Sequence, residues 1–402
     1  MTETLDRVAG PPTTADLERW READGVARPR RLDGLRARLE REGVGAYFGV
    51  RRENIRYLTG MELAEGEEKV AGNSGQFLVS PTEIVVLADS RYTAQAMDQC
   101  PEARVERVYH NLVGRWSELL ASVGAPRRVG VEAGFVSHLM WQRLAEAAPE
   151  VELVPVENWV EELRQVKEPS EIERIAAACA VADAALERLL PSIQVGATEA
   201  DLALLLEWEM RTNGAEALAF DVACLSGPRA ALPHGSPGAR RIGAGEVLLF
   251  DFGAQVCSYR SDMTRTVFVG EPQPRDLEIY AIVARAQQAV IDALSSAIAA
   301  GERPSGRSLH NLAVQVISEA GHGDHFGHGL GHGIGLATHE MPSLGVSAPE
   351  TSLPSPTVFS VEPGIYIDGV TGVRIEDLVV LDASAARVDR LTRFPRDVTV
   401  VG

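Results

Sequence analysis

A chain of 402 residues with 45% hydrophobic and 24% charged residues has the composition of a globular protein and the length of two domains. A net charge of −18 disfavours partnership with nucleic acid or an anionic membrane surface, and no apolar run reaches the roughly 18 residues a membrane helix needs. Four widely spaced cysteines without a CxxC pattern (Cys100, Cys179, Cys224, Cys257) read as buried thiols in a reducing compartment; with no basic-then-apolar leader, the expected location is the cytoplasm.

Residues 1–29 read as an N-terminal extension, with at most a short helix at 15–22. From Arg31 the pattern is α/β. Leu32, Leu35 and Leu39 mark an amphipathic helix ending at Gly43, and 46–50 is a short apolar strand. Further strands are expected at Gln76–Val79, Ile84–Ala88, 105–109, 129–132 and 151–156, with helices at 116–122 and 137–147. His110 and His138 stand alone here and carry no chemistry. These residues, 30–160, form the expected smaller α/β domain.

A boundary near 158–169 opens the second domain, 161–402. Ile172, Ile175, Cys179, Ala182, Leu186 and Leu189 step by three and four along a helix that Pro169 starts and Pro191 ends. Thr198 and Asp201 resemble a capping box for the next helix, which stops at Gly214. Strands at 220–225, 247–252 and Met263–Val269 follow, then helices at 276–300 and 305–320. The chain finishes with strands at 358–362, Gly364–Ile367 and 373–381.

Between these last helices and strands lies HGDHFGHGLGHGIGLATH, residues 322–339, with five of the nine histidines. Glycine at this density argues against a helix and for a strand or turn that lets backbone approach a ligand closely. Imidazole is the commonest metal ligand, but a histidine-rich tract can also bind metal without a fold. The carboxylates decide. Asp251 ends the run VLLF, Asp262 opens SDMTRTVFVG, Glu362 sits in VFSVEPGIYI, and Glu376 sits in GVRIEDLVVL. A lone carboxylate in such a strand costs several kcal/mol unless it is paired or bound to a cation. Read one at a time they are strand-end charges; read together with the histidines they are a hard, oxygen-rich ligand set. That set suits Mn²⁺, Co²⁺ or Zn²⁺, and two such ions sharing a water lower its pKa toward roughly 7. Arg374, two residues from Glu376, is expected on the same face of one strand, where it would orient a carboxylate. Hydrolysis of an amide or ester is the chemistry this equipment serves.

The segments SGPRAALPHG, LLFDFGA, SDMTRTVFVG, GHGLGHGIGLATHE, VEPGIYI and GVRIED, in this order and spacing, resemble the "pita-bread" metallopeptidases, and most closely their Xaa-Pro peptidases. ADSRYTAQA is similar to the N-terminal domain of that group, so the resemblance covers nearly everything from residue 31. It implies an α+β fold: a pita-bread (creatinase/aminopeptidase) catalytic domain behind a smaller α/β domain. It implies that Asp251, Asp262, His332, Glu362 and Glu376 hold two divalent ions, with Asp262 and Glu376 bridging. Glu362 would also shuttle the proton of the bridging water. His234, His328 and His339 match histidines that hold substrate and stabilise the tetrahedral intermediate, and Tyr366 and Arg374 match supporting positions. His322 and His325 precede the motif and His310 lies in a helix; these read as structural or surface residues. Phe220 stands where some relatives carry tyrosine, and 341–357 lacks a clear consensus.

The expected activity is hydrolysis of the bond between an N-terminal residue and proline in short peptides. A dipeptidase is favoured over an aminopeptidase P, and a homodimer is implied by the resemblance alone. The prolyl imide lacks the N–H that general proteases grip, which gives a dedicated enzyme its reason. Methionine aminopeptidase would not need the N-terminal domain. A creatinase-like hydrolase, a lyase or an inactive binding module would not need all five ligands.

Overall fold

A computed structural model of the chain describes residues 11–63, 74–108 and 111–402. Two compact units emerge: Glu18–Arg164, and Gln165–Gly402 together with the described residues before Glu18.

The first unit is built on a six-stranded mixed sheet of β1 (Ala46–Gly49), β2 (Gln76–Val79), β3 (Ile84–Ala88), β4 (Arg104–Arg107), β5 (Arg128–Glu132) and β6 (Glu152–Val156), in the order β4-β3-β2-β1-β5-β6. β1, β2 and β3 pair antiparallel; β3–β4, β1–β5 and β5–β6 pair parallel. Continuous apolar runs such as IVVLA in β3 are buried on both faces, as a helix-covered sheet requires. Helix Leu112–Ser122 contributes Trp116, whose ring meets Phe48 edge-on at 5.0 Å in the core.

Three readings of this region change. Residues 14–29 are not a separate extension with a short helix: one helix runs Thr14–Glu42 straight through Pro29, and residues 1–10 lie outside the described residues. A proline removes a single backbone donor, and burial of Trp20, Ala27, Leu32, Leu35 and Leu39 along the helix outweighs that loss. Helices Arg52–Thr59, Thr93–Gln99 and Trp159–Arg164 add to the expected set; one or two turns give too short a run for periodicity to register. The fourth strand stops at Arg107; Tyr109 and His110 lie outside the described residues.

In the second unit, helices Pro169–Leu189, Glu199–Thr212, Pro274–Ala299 and Gly306–Glu319 accompany four sheets. Its strands are β7 (Ala217–Leu218), β8 (Ala223–Ser226), β9 (Glu246–Phe252), β10 (Ala254–Val256), β11 (Tyr259–Arg260), β12 (Met263–Val269), β13 (Gly331–Gly333), β14 (Glu340–Leu344), β15 (Thr357–Val361), β16 (Gly364–Ile367), β17 (Thr371–Arg374), β18 (Asp377–Asp382), β19 (Arg387–Arg390) and β20 (Val400–Val401). They form sheets β20-β12-β9-β8, β14-β13-β15-β18-β19, β16-β17 and β11-β10-β7. The core lies where the two long late helices bury Val283, Val290, Leu294 and Ile317 against Leu249, Phe359, Ile365 and Val379. Pro169 opens the first helix inside a capping box made by Glu168 and Glu171, and Thr198 caps the next by accepting the N–H of Asp201 at 3.1 Å.

The expected strand 373–381 is two strands in two sheets, with Ile375 and Glu376 between them. The Glu376 N–H bonds to Thr264 O at 3.1 Å and Ile375 O accepts from Gln287, so both leave the ladder. His310 is buried rather than on the surface, and Cys257 is half-buried, unlike the other three cysteines.

Candidate metal centre

Five segments deliver the acidic and imidazole groups. β9 and β12 pair antiparallel with Asp251 opposite Thr264, and Asp262 stands one residue before β12. His332 is the middle residue of β13, Glu362 directly follows β15, and Glu376 fills the gap between β17 and β18. Asp262, His332 and Glu376 each bring a ligand atom within 4.8 Å of the others. His332 Nε2 lies 3.4 Å from Glu362 Oε1 and 3.6 Å from Asp262 Oδ2. Asp251 joins through Arg374, whose Nη2 donates to Asp251 Oδ2 at 2.5 Å. Arg374 Nε donates to Thr264 Oγ1 at 2.8 Å, and that hydroxyl donates to Glu376 Oε2 at 2.7 Å. So Arg374 does orient a carboxylate, but that of Asp251, and Arg374 and Glu376 do not share one strand face as expected.

These groups fit divalent cations on three counts. Asp251 Oδ1 and Glu376 Oε1 are buried with no hydrogen-bond partner, which a carboxylate rarely tolerates. Burial, then the neighbouring carboxylates, pushes Asp262 and Glu376 well above the usual carboxylate range, so the cluster repels itself without positive charge. Burial likewise raises Glu362 to about 7 against the pull of Arg374. Finally, His332 Nδ1 faces Gly333 O at 3.1 Å. A carbonyl only accepts, so the proton sits on Nδ1, and the bare Nε2 lone pair points at two carboxylates. Burial favours that neutral ring.

Arg374 also donates to Tyr366 Oη at 2.8 Å, and Tyr366 Oη lies 2.9 Å from His328 Nε2. His328 Nδ1 bonds to Gly329 O at 2.7 Å, and burial lowers the ring's pKa to about 4. The ring is therefore neutral with its proton on Nδ1, and Nε2 accepts from Tyr366, whose own pKa is pushed up to about 12 by burial. In this arrangement His328 has no N–H free for a developing oxyanion. His339 lies against His332, the rings tilted by 39° with centroids 4.1 Å apart, on the solvent-facing rim where partial desolvation and the neighbouring imidazoles lower its pKa. His234 is also exposed on the rim, within electrostatic reach of His328, His339 and Glu362.

Several positioning groups lie beyond the sequence-predicted set. Thr264 and Ser360 each lie two residues from an acid, and Ser360 Oγ donates to Glu362 Oε1 while accepting the N–H of His332, both at 3.0 Å. A hydroxyl at i±2 of a strand-end carboxylate shares its face, and that spacing is a signal the sequence carries. Gln287 Nε2, from the long helix, bonds to the carbonyls of Val361 and Ile375 at 3.1 and 3.2 Å, the residues just before Glu362 and Glu376. An amide inside the apolar stripe Val283, Ala286, Val290 is its mark. The glycines on either side of His332 are required by β-strand packing: a Cβ on Gly331 would collide with Ser360 O, and one on Gly333 with Met341 O. The unassigned segment 341–357 begins in β14, which pairs with β13 and fixes His332 from its other side.

The model of metallopeptidase family M24 matches residues 173–383, and that of the creatinase/prolidase N-terminal domain matches residues 31–166. An Xaa-Pro dipeptidase of Pyrococcus furiosus is 33% identical over 91% of this chain and 99% of its own length. Among solved structures, an Xaa-Pro dipeptidase from Bacillus anthracis superposes with a TM-score of 0.83 at 32% identity, covering 92% of this chain and 99% of that one. An X-Pro aminopeptidase from Thermotoga maritima gives 0.81 at 32%, with the same coverage. Matching spans, identity and fold together place the site in its family: this chain is an enzyme of metallopeptidase family M24, with a creatinase/prolidase N-terminal domain ahead of an α+β pita-bread catalytic domain.

Proposed function

We propose that the enzyme hydrolyses the Xaa-Pro bond of dipeptides. The observation that carries the reading is the convergence of Asp262, His332 and Glu376, beside Glu362 and Asp251, with carboxylate oxygens and an imidazole lone pair left without protein partners. Family membership and the relatives named Xaa-Pro dipeptidase support the substrate class. In this reading Asp251, Asp262, His332, Glu362 and Glu376 hold two divalent ions; a set of four carboxylates and one imidazole favours Mn²⁺, with Co²⁺ or Zn²⁺ as alternatives. When bound, such ions supply Lewis acidity and make water nucleophilic near neutral pH.

The chain's own groups do the rest. Glu362, steadied by the Ser360 hydroxyl, takes the proton of the attacking water and passes it to the departing proline nitrogen. His234 and His339 at the rim bind the substrate's carbonyl and carboxylate and donate to the oxyanion as it forms. His328 acts through Tyr366: by accepting its hydroxyl it fixes the Arg374 fork that holds Asp251 and Thr264. The reading includes an N-terminal domain ending near residue 160, a catalytic domain at 161–402, a homodimer suggested by the resemblance, and a cytoplasmic location suggested by cysteine usage.

The second reading, an aminopeptidase acting on longer peptides, is favoured by the aminopeptidase neighbour of equal identity. Comparing Ala-Pro with Ala-Pro-Ala at matched metal loading separates the two. The dipeptide is expected to give the higher kcat/KM; preference for the tripeptide would sink the dipeptidase reading. Metal-free protein is expected to be inactive on Ala-Pro and to recover with Mn²⁺ or Co²⁺.

A further inference from the structure

His322 and His325 lie outside the machinery described above, yet the fold places them face to face. After helix Gly306–Glu319 the chain turns at Gly321, in the left-handed region at φ +84°, and the His322 N–H closes back on Ile317 O at 3.1 Å. A single 3₁₀ turn, Gly323–His325, follows, with the His325 N–H bonded to His322 O at 2.9 Å. An i→i+3 bond brings side chains at those two positions onto one side of the chain, which is why both imidazoles meet. Ser318 backs the turn so closely that a Cβ on Gly323 would lie 2.6 Å from its Oγ, so the turn is braced from beneath. The two Nδ1 atoms are 3.2 Å apart, the rings are tilted by 49°, and both side chains are half-buried, reachable from solvent.

We infer that His322 and His325 form a second transition-metal site, taking Zn²⁺, Cu²⁺ or Ni²⁺ through their Nδ1 atoms. Two imidazole nitrogens bound at about 2.0–2.1 Å to a tetrahedral ion stand about 3.3–3.4 Å apart, close to the separation found. The competing arrangement is one neutral ring donating to the other. Both hold the two nitrogens at about this separation; a small rotation of the rings turns the lone pairs from each other toward a common cation, which takes the place of the shared proton. An all-nitrogen pair selects against Mg²⁺, Ca²⁺ and Mn²⁺, so this site and the carboxylate-rich centre differ in metal preference. Among the described residues, no third histidine, cysteine or acidic ligand atom completes a cluster with the pair. Water fills the remaining positions, which makes the ion exchangeable rather than structural. The inference stands whether or not the substrate proposed above is right.

The test is a zinc count on full-length protein dialysed against excess Zn²⁺, comparing wild type with His322→Gln and His325→Gln. Each variant is expected to hold one equivalent less than wild type while keeping manganese-supported peptidase activity within about twofold, which also shows that it is folded. Equal zinc counts in all three proteins overturn the site. A second measurement does not depend on those variants. One equivalent of Cu²⁺ added to His332→Gln protein, in which the carboxylate-rich centre lacks its imidazole, is expected to give an electron paramagnetic resonance spectrum with coupling to two nitrogens. A spectrum without nitrogen coupling overturns the site as well.

Discussion

Each unit of the molecule buries acid, and the two treat it in opposite ways. In the first unit Glu132 accepts from Tyr47 Oη at 2.5 Å, from the backbone N–H groups of Val50 and Arg51 at 2.6 and 2.7 Å, and from Asn54 Nδ2 at 2.7 Å. In the second, Glu376 receives one hydroxyl on Oε2, leaves Oε1 bare, and faces other carboxylates. Burial raises the pKa of both, so a displaced pKa does not separate them. The count of donors does. Glu132 is a finished structural joint, whereas Glu376 belongs to a group whose missing partner is a cation.

The comparison breaks most sharply on activity. Replacing Glu362 with Ala is expected to lower kcat by about 10⁴-fold, the upper end of what a positioned acid–base contributes, since the same side chain also belongs to the proposed ligand set. Steady-state rates on Ala-Pro with excess Mn²⁺ measure it, and a variant within tenfold of wild type would show that the group is misassigned.

Stability should move in opposite directions at the two acids. Glu132→Gln sets an amide NH₂ against donors and is expected to cost about 2–4 kcal/mol, read as a lower urea midpoint. In metal-free protein, Glu376→Gln is expected to raise the midpoint. Its carbonyl still accepts from Thr264, and its NH₂ replaces a repelling oxygen with a donor. A loss at Glu376 as large as that at Glu132 would contradict the distinction.

Asp183 lies between these extremes. It is buried with two donors, the backbone N–H groups of Arg393 and Phe394 at 2.7 and 3.0 Å, and burial raises it to about 6. Below about pH 4 the group is protonated folded and unfolded alike. Between about 4 and 6 only the folded state keeps the proton, so stability falls as pH rises through that window and levels off above it. The effect is at most about 3 kcal/mol, from roughly two pKa units. Urea midpoints across pH 4–7 are expected to show this slope in wild type and a flatter one in Asp183→Asn; parallel curves would remove the assignment.

Much of the centre is legible in the sequence because acids stand where solvent is absent: Asp251 after VLLF and Glu376 inside an apolar run demand partners on sequence grounds alone. The strand pairing of Asp251 with the Asp262 segment follows from their spacing. What stays hidden depends on contacts distant in sequence. The strand 373–381 breaks because Thr264 and Gln287 claim its backbone from elsewhere, and no local pattern records that. The burial of His310 does have a local sign: with Ala313 and Ile317 it continues the buried stripe of its helix, which outweighs the general preference of histidine for the surface. The tautomer of His328, which removes its expected N–H, is set by Gly329 O and Tyr366 and has no sequence signature.

Two tyrosines give the comparison its finest form, since each hydroxyl serves a buried polar network. Tyr47 Oη donates to Glu132, and Tyr366 Oη lies between Arg374 and His328. Tyr47→Phe leaves Glu132 three donors and is expected to cost about 1 kcal/mol of stability with kcat/KM unchanged. Tyr366→Phe removes the nearer acceptor of Arg374 Nη1 and leaves it only Pro233 O at 3.4 Å, loosening the fork whose Nη2 holds Asp251. Its expected result is about a tenfold weaker metal affinity, the size seen when a group behind a ligand is removed, with little change in kcat at saturating metal. Metal titration of activity separates affinity from turnover, and urea unfolding of the metal-free variant serves as its control. If Tyr366→Phe instead lowered stability and left metal affinity intact, its hydroxyl would be a structural joint like that of Tyr47, and Arg374 would hold Asp251 without its help.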